Sequence, residues 1–192
     1  MDTNLSYAWD MFKKDPFGWV LVNVCFGLVV LFSATVGLVL APNYYRAIIK
    51  ALPREKAPPI AELFRFDNIV NDALTILVFV AVNFLGTLCF GLGAIWTTPY
   101  SIWMLHLCAE KRFEPLDCFR ASMAHSRGKI ISIWIYYIIL FLFSTIVSLV
   151  TCGLGAVVVG PLLFIETARS YEINRTQILA DAQADGLILL NK

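Results

Sequence analysis

Charge is what this sequence has least of: Asp, Glu, Lys and Arg together make up 15% of the residues, against about a quarter in ordinary soluble domains. The net charge is only +1, which leaves no basic surplus of the kind that phosphate-backbone binding needs, so nucleic acid is not an expected partner. Histidine is nearly absent, with His106 and His125 alone and neither with a second His at i,i+4, so no metal site is expected. The five cysteines, at 25, 89, 108, 118 and 152, form no CxxC pair and read as small buried hydrophobes. There is no HExxH, no GxSxG and no GxxxxGK[ST], and the GxG within Phe90-Gly91-Leu92-Gly93 follows no strand. No catalytic residue and no cofactor is expected, and the chain reads as a protein that is not an enzyme.

Long apolar runs take the place of charge. Hydrophobic residues are 59% of the chain, and residues 16–45, 73–109 and 130–165 contain no Asp, Glu, Lys or Arg at all. Each run exceeds one membrane span of about 20 residues and approaches two. Each also has a small, turn-forming break near its middle, at Gly37, at Gly91 and Gly93, and at Gly153 and Gly155. The expected fold is an all-α integral membrane protein with six transmembrane helices in three hairpins, residues 16–52, 69–109 and 130–171. A first apolar stretch behind Lys13 and Lys14 lacks a small-residue cleavage site, so it is expected to be an uncleaved helix.

Charge placement supports the even count. With six spans, all fifteen Lys and Arg fall on one side, which the positive-inside rule makes cytoplasmic, together with both termini. Three single long helices would instead put the basic loops, Arg46 to Arg65 and Lys111 to Lys129, on opposite sides. Hairpins that dip into one leaflet without crossing are the alternative, since 30 to 37 uncharged residues are few for two spans.

The apolar blocks repeat. Gly91-Leu92-Gly93-Ala94 with Pro99 matches Gly153-Leu154-Gly155-Ala156 with Pro161, and Gly37 with Pro42 is a weaker copy. The implied units are residues 1–56, 57–113 and 114–192 of a single membrane domain. Between hairpins the sequence predicts short amphipathic helices at the cytoplasmic interface. Residues 115–125 place Leu116, Phe119 and Met123 on one inward stripe; Ile60, Leu63 and Phe64, and Ala8, Met11 and Phe12, repeat the pattern, and residues 176–190 form a further such helix. His125, in a basic loop, is expected to be solvated.

Pro42, Pro99 and Pro161 are expected as helix kinks, and each is followed within seven residues by an ionisable group: Arg46, His106 and Glu166. Counted from the hairpin tips these groups lie about 15–20 Å into the bilayer at about 1.5 Å per residue. An ionisable side chain at that depth is costly and marks a candidate intramembrane polar cluster, with Arg46 and Glu166 as neighbours and His106 near them; snorkelling anchors are the competing explanation.

The strings Ala8-Trp9-Asp10-Met11-Phe12-Lys13-Lys14-Asp15-Pro16, Leu63-Phe64-Arg65-Phe66, Ala121-Ser122 and the Gly-Leu-Gly-Ala segments with their prolines resemble a group of bacterial six-helix inner-membrane proteins, many of them uncharacterised. That group is related to the membrane domain of some glycerophosphodiester phosphodiesterases. The resemblance implies a bacterial inner membrane and six helices; without a phosphodiesterase catalytic domain it implies no enzymatic activity. Three roles fit: a subunit or organising factor whose partners are membrane lipids and other membrane subunits or copies of itself; a small transporter or lipid-handling protein with a site between the proline-containing helices; and a wedge that shapes the bilayer.

Overall fold

A computed structural model of the chain describes residues 2–65, 69–88, 94–110, 113–151 and 155–189. Among these every regular element is helical: α1 (Asp2–Lys14), α2 (Pro16–Phe32), α3 (Ala34–Ala51), α4 (Ile69–Leu88), α5 (Ala94–Ser101), α6 (Met104–Ala109), α7 (Pro115–Ser126), α8 (Ile130–Val150) and α9 (Ala156–Ala184), with short 3-10 turns at Leu52–Arg54 and Ile60–Phe64. Two helices, Ile69–Thr87 within α4 and Ile130–Val150, are long and apolar enough to cross a membrane, which is consistent with a membrane protein. A third is added if α1 and α2, which meet at 100°, are taken as one broken span. Gly91, Gly93 and Gly153, expected as turns, lie outside the described residues.

The chain divides into two compact units, Met1–Arg65 with Tyr136–Ile173, and Phe66–Ile135 with Asn174–Lys192. In the first, Asp15 separates α1 from α2. Its carboxylate accepts from Gly18 N–H at 3.0 Å while Pro16 fills the first helical turn, a cap that starts α2 in a new direction. Ala8, Met11 and Phe12 of α1 are buried, as the amphipathic pattern predicts. A single residue, Ser33, then ends α2 and begins α3, and its hydroxyl accepts from Val36 N–H at 3.3 Å. Gly37 lies inside α3, one turn beyond the break. A Cβ there would come within 2.8 Å of Val30 Cα, so the glycine serves close approach of the two helices rather than reversal.

Tyr44 holds α2, α3 and α9 together. It stacks on Phe26 at 4.3 Å, meets Phe164 edge-on at 4.7 Å, and donates its hydroxyl to Asn23 Oδ1 at 3.0 Å. Aromatic pairs at such spacings add about 0.5–1.5 kcal/mol each beyond area burial. Around this point Trp19, Ile48, Leu52, Leu162 and Ile165 make the buried core.

In the second unit, the stretch expected as one returning helix is two. Pro99 lies inside α5, and the chain turns at Ile102–Trp103 before α6. Trp103 N–H, which a continuous helix would give to the carbonyl four residues back, donates instead to Ser122 Oγ at 3.1 Å. Pro42 and Pro161 likewise lie within helices, α3 and α9.

Helix α7 forms where predicted. Within the protein it buries Cys118, Ala121, Ser122 and His125, mostly small side chains that let it lie close to its neighbours, while Leu116 is 51% exposed and Phe119 and Met123 are half-buried, so the apolar stripe lies on the outer side. One expectation is corrected. Residues 176–184 are not a separate helix, because α9 runs unbroken through the expected boundary at 171. No proline or glycine intervenes until Gly186, whose φ of 83° ends the helix with Leu187 N–H bonding to Ala182 C=O at 3.0 Å.

Candidate functional site

The candidate polar groups are carried by the proline-containing segments. Arg46, on the turn after Pro42, donates from a guanidinium nitrogen to Asn43 Oδ1 at 2.6 Å. Asn43 is itself buried, at 3% exposure, and its amide donates to the carbonyl oxygens of Arg65 at 2.5 Å and Leu63 at 3.4 Å. The cation is thus anchored to a side chain that fastens α3 to the strand of chain leaving the second 3-10 turn.

Glu166, five residues after Pro161, is 2% exposed and accepts a hydrogen bond from the Tyr136 hydroxyl of α8. Both lie in the first unit, as does Arg46. His106 is also 2% exposed but belongs to the second unit, with the Trp103 ring edge-on at 6.0 Å. Gly155 has its N–H bonded to Thr151 Oγ1 at 2.6 Å, and a Cβ there would meet Val147 Cγ1 at 2.7 Å, so this glycine too permits close packing at the head of α9.

Sequence inspection missed a second buried polar group. Asp72 is 1% exposed; its carboxylate accepts from Cys108 Sγ at 4.0 Å, and Cys108 is 2.9 Å from the hydroxyl of Thr75, which also donates to Asn71 C=O. Asp72 stands immediately before the charge-free run 73–109, where the sequence marks it only as a charge. Its contact with Cys108 joins residues 36 apart, for which no local pattern gives a signal. Cys108 is therefore not simply a buried hydrophobe.

His125 departs from expectation as well. It is 4% exposed, with Nδ1 at 2.7 Å from Asp181 Oδ2 and Nε2 at 3.3 Å from Lys129 Nζ. Burial, the dominant influence, lowers its pKa from the usual 6.5; the Asp181 hydrogen bond opposes this and Lys129 adds to it. Arg175 to Glu110 at 2.8 Å and Arg127 to Asp185 at 3.1 Å complete a set of ion pairs that tie the end of α9 to the segment around α7. Among the described residues no group of three or more His, Cys, Asp or Glu is arranged to hold a metal ion.

No known family, curated protein or solved structure matches the chain.

Proposed function

We propose that the protein is a six-span, non-enzymatic component of the bacterial inner membrane, a subunit or organising factor of a membrane complex, with both termini and the basic loops in the cytoplasm. The observation that carries this is α8. Of its 21 residues only Leu140 is buried, while Ile131, Phe141, Leu149 and Val150 are 69–79% exposed. An apolar surface of that extent is unstable in water and suits lipid and apolar helices of a partner. The three repeat units, with their aligned prolines and glycines, support the six-span count.

Two experiments test it. In cells whose native cysteines are replaced, Gly93→Cys should react with a membrane-impermeant thiol reagent from outside, and Lys111→Cys should not. Equal reaction at both sites sinks the six-span topology; protected tips favour the leaflet wedge, for which α2, about 26 Å long at 17 residues against a hydrocarbon core of about 30 Å, supplies support. Light scattering of protein extracted in mild detergent should give a mass above the 21.5 kDa single chain. A monomer without a companion subunit defeats the subunit role.

A transporter or lipid-handling protein is the second possibility, favoured by Glu166 lying buried beside Tyr136 where α8 and the apolar first part of α9 meet. Buried carboxylates within spans commonly serve ion and substrate pathways.

A further inference from the structure

We propose that the cavity at the end of α3 binds a phosphate-bearing anion, presented by an anionic phospholipid headgroup. The cavity has a volume of about 210 Å³ and lies wholly within the first unit. This is below the roughly 300–1,000 Å³ of pockets that enclose drug-sized molecules, and fits a headgroup better than a whole lipid.

Three cations, Lys50, Arg54 and Lys56, line it against one carboxylate, Glu62. Glu62 is engaged by Lys50 at 3.5 Å. Arg54 and Lys56 have no ion pair among the described residues, so two positive charges are left for a ligand. The remaining wall is apolar, from Ala47, Ala51, Pro58 and Pro59. An arginine fork beside a lysine is a recurrent way to hold phosphate oxygens, the first by paired hydrogen bonds and the second as a point charge.

The loop that carries the cations is fixed before any ligand arrives. Glu55, between Arg54 and Lys56, has a φ of 53°, a left-handed conformation that costs a residue bearing a Cβ. Two ties hold it: the Lys14 ammonium pairs with the Glu55 carboxylate, and Ala57 N–H donates to Asp15 Oδ2 at 3.2 Å. Pro58 and Pro59 stiffen the return of the chain. Strain held in place by partners outside the loop is characteristic of binding loops.

The choice of a lipid as the source rests on the membrane placement argued above. Phe17 and Phe64 are 76% and 45% exposed; Phe17 precedes Gly18, which lies against Ala57 of the cavity wall, and Phe64 follows the lining residue Glu62 by two positions, so exposed aromatics border the basic cavity as suits the headgroup layer.

The test uses the full chain reconstituted in nanodiscs, then released for native mass spectrometry with phosphatidylglycerol or phosphatidylcholine. Failure to enter nanodiscs would refute the membrane placement itself, separately from the site. With incorporation established, phosphatidylglycerol adducts should exceed phosphatidylcholine adducts, and Arg54→Gln with Lys56→Gln should weaken the former by roughly fivefold per cation, about thirtyfold together. Removing the same charge elsewhere, by Arg120→Gln with Arg127→Gln, should leave the preference in place. Equal retention of the two lipids, or a double variant at 54 and 56 that binds like wild type, overturns the site. Displacement of phosphatidylglycerol by millimolar inorganic phosphate would overturn the lipid source and assign the cavity to a soluble phosphate anion.

Discussion

Tyr136 of α8 donates its hydroxyl to the carboxylate of Glu166 on α9, so this buried acid is held by a phenol. Tyr136→Phe removes that donor while keeping the ring. It should lower stability by about 1–3 kcal/mol, the cost of leaving a buried acceptor unsatisfied, and Glu166→Gln should lose less because an amide oxygen still accepts. Thermal unfolding in detergent measures both; an unchanged midpoint for Tyr136→Phe would show that the contact is energetically idle.

If Arg46 and Glu166 share the bundle interior, Arg46→Glu damages the protein and adding Glu166→Arg partly restores it. Yield of folded protein and its melting temperature report the rescue. A double variant no better than the worse single one assigns both residues to separate local roles.

Glycines 27 and 37 form an internal control. At Gly37 a Cβ meets Val30 backbone at 2.8 Å, whereas at Gly27 nothing lies within 4 Å. Gly37→Ala should therefore destabilise by about 1–3 kcal/mol through overpacking. Gly27→Ala, a helical position with open space, should be neutral or gain up to about 1 kcal/mol. Equal effects would mean that α2 and α3 do not approach at Gly37.

The buried face of α7 predicts a second contrast. Ala121 is fully buried, so Ala121→Leu should cost about 1–3 kcal/mol, while Leu116→Ser on the exposed stripe should stay within about 0.5 kcal/mol in detergent. The opposite order would show that the small-residue face of α7 is not the one packed against the protein.

His125 gives stability a pH dependence. Its pKa in the folded protein lies below the usual 6.5, so the unfolded chain binds the extra proton more readily. The contribution is present above pH 6.5 and is lost as pH falls below that value toward the depressed folded pKa. Melting temperature of the wild type should drop through this window more steeply than that of His125→Gln. Parallel curves would show that burial of the imidazole is not what the native state feels.

Helical class, prolines carried within helices and the existence of α1 and α7 were legible in the sequence, because each depends on residues within one or two turns. The face by which α7 packs against the protein was not, because periodicity marks the bulky apolar stripe, whereas Cys118, Ala121 and Ser122 bury where backbones come close. The length of α9 was hidden because the apolar pattern ends near 171, whereas Arg169 and Glu172 pair at 2.7 Å along one continuous helix. The contacts of Asp72 with Cys108 and of His125 with Asp181 span 36 and 56 residues, and arise only from tertiary packing.

The two units are each built from separated stretches of chain, and this sets an order during synthesis. Residues 1–65 complete their unit only with residues 136–173, and residues 66–135 wait for residues 174–192. Glu110, His125 and Arg127 therefore leave the ribosome well before Arg175, Asp181 and Asp185, the partners they pair with. At about 5–20 residues per second the delay is several seconds, during which the half-buried Glu110 carboxylate and the buried His125 imidazole need water, headgroups or an insertion factor beside them.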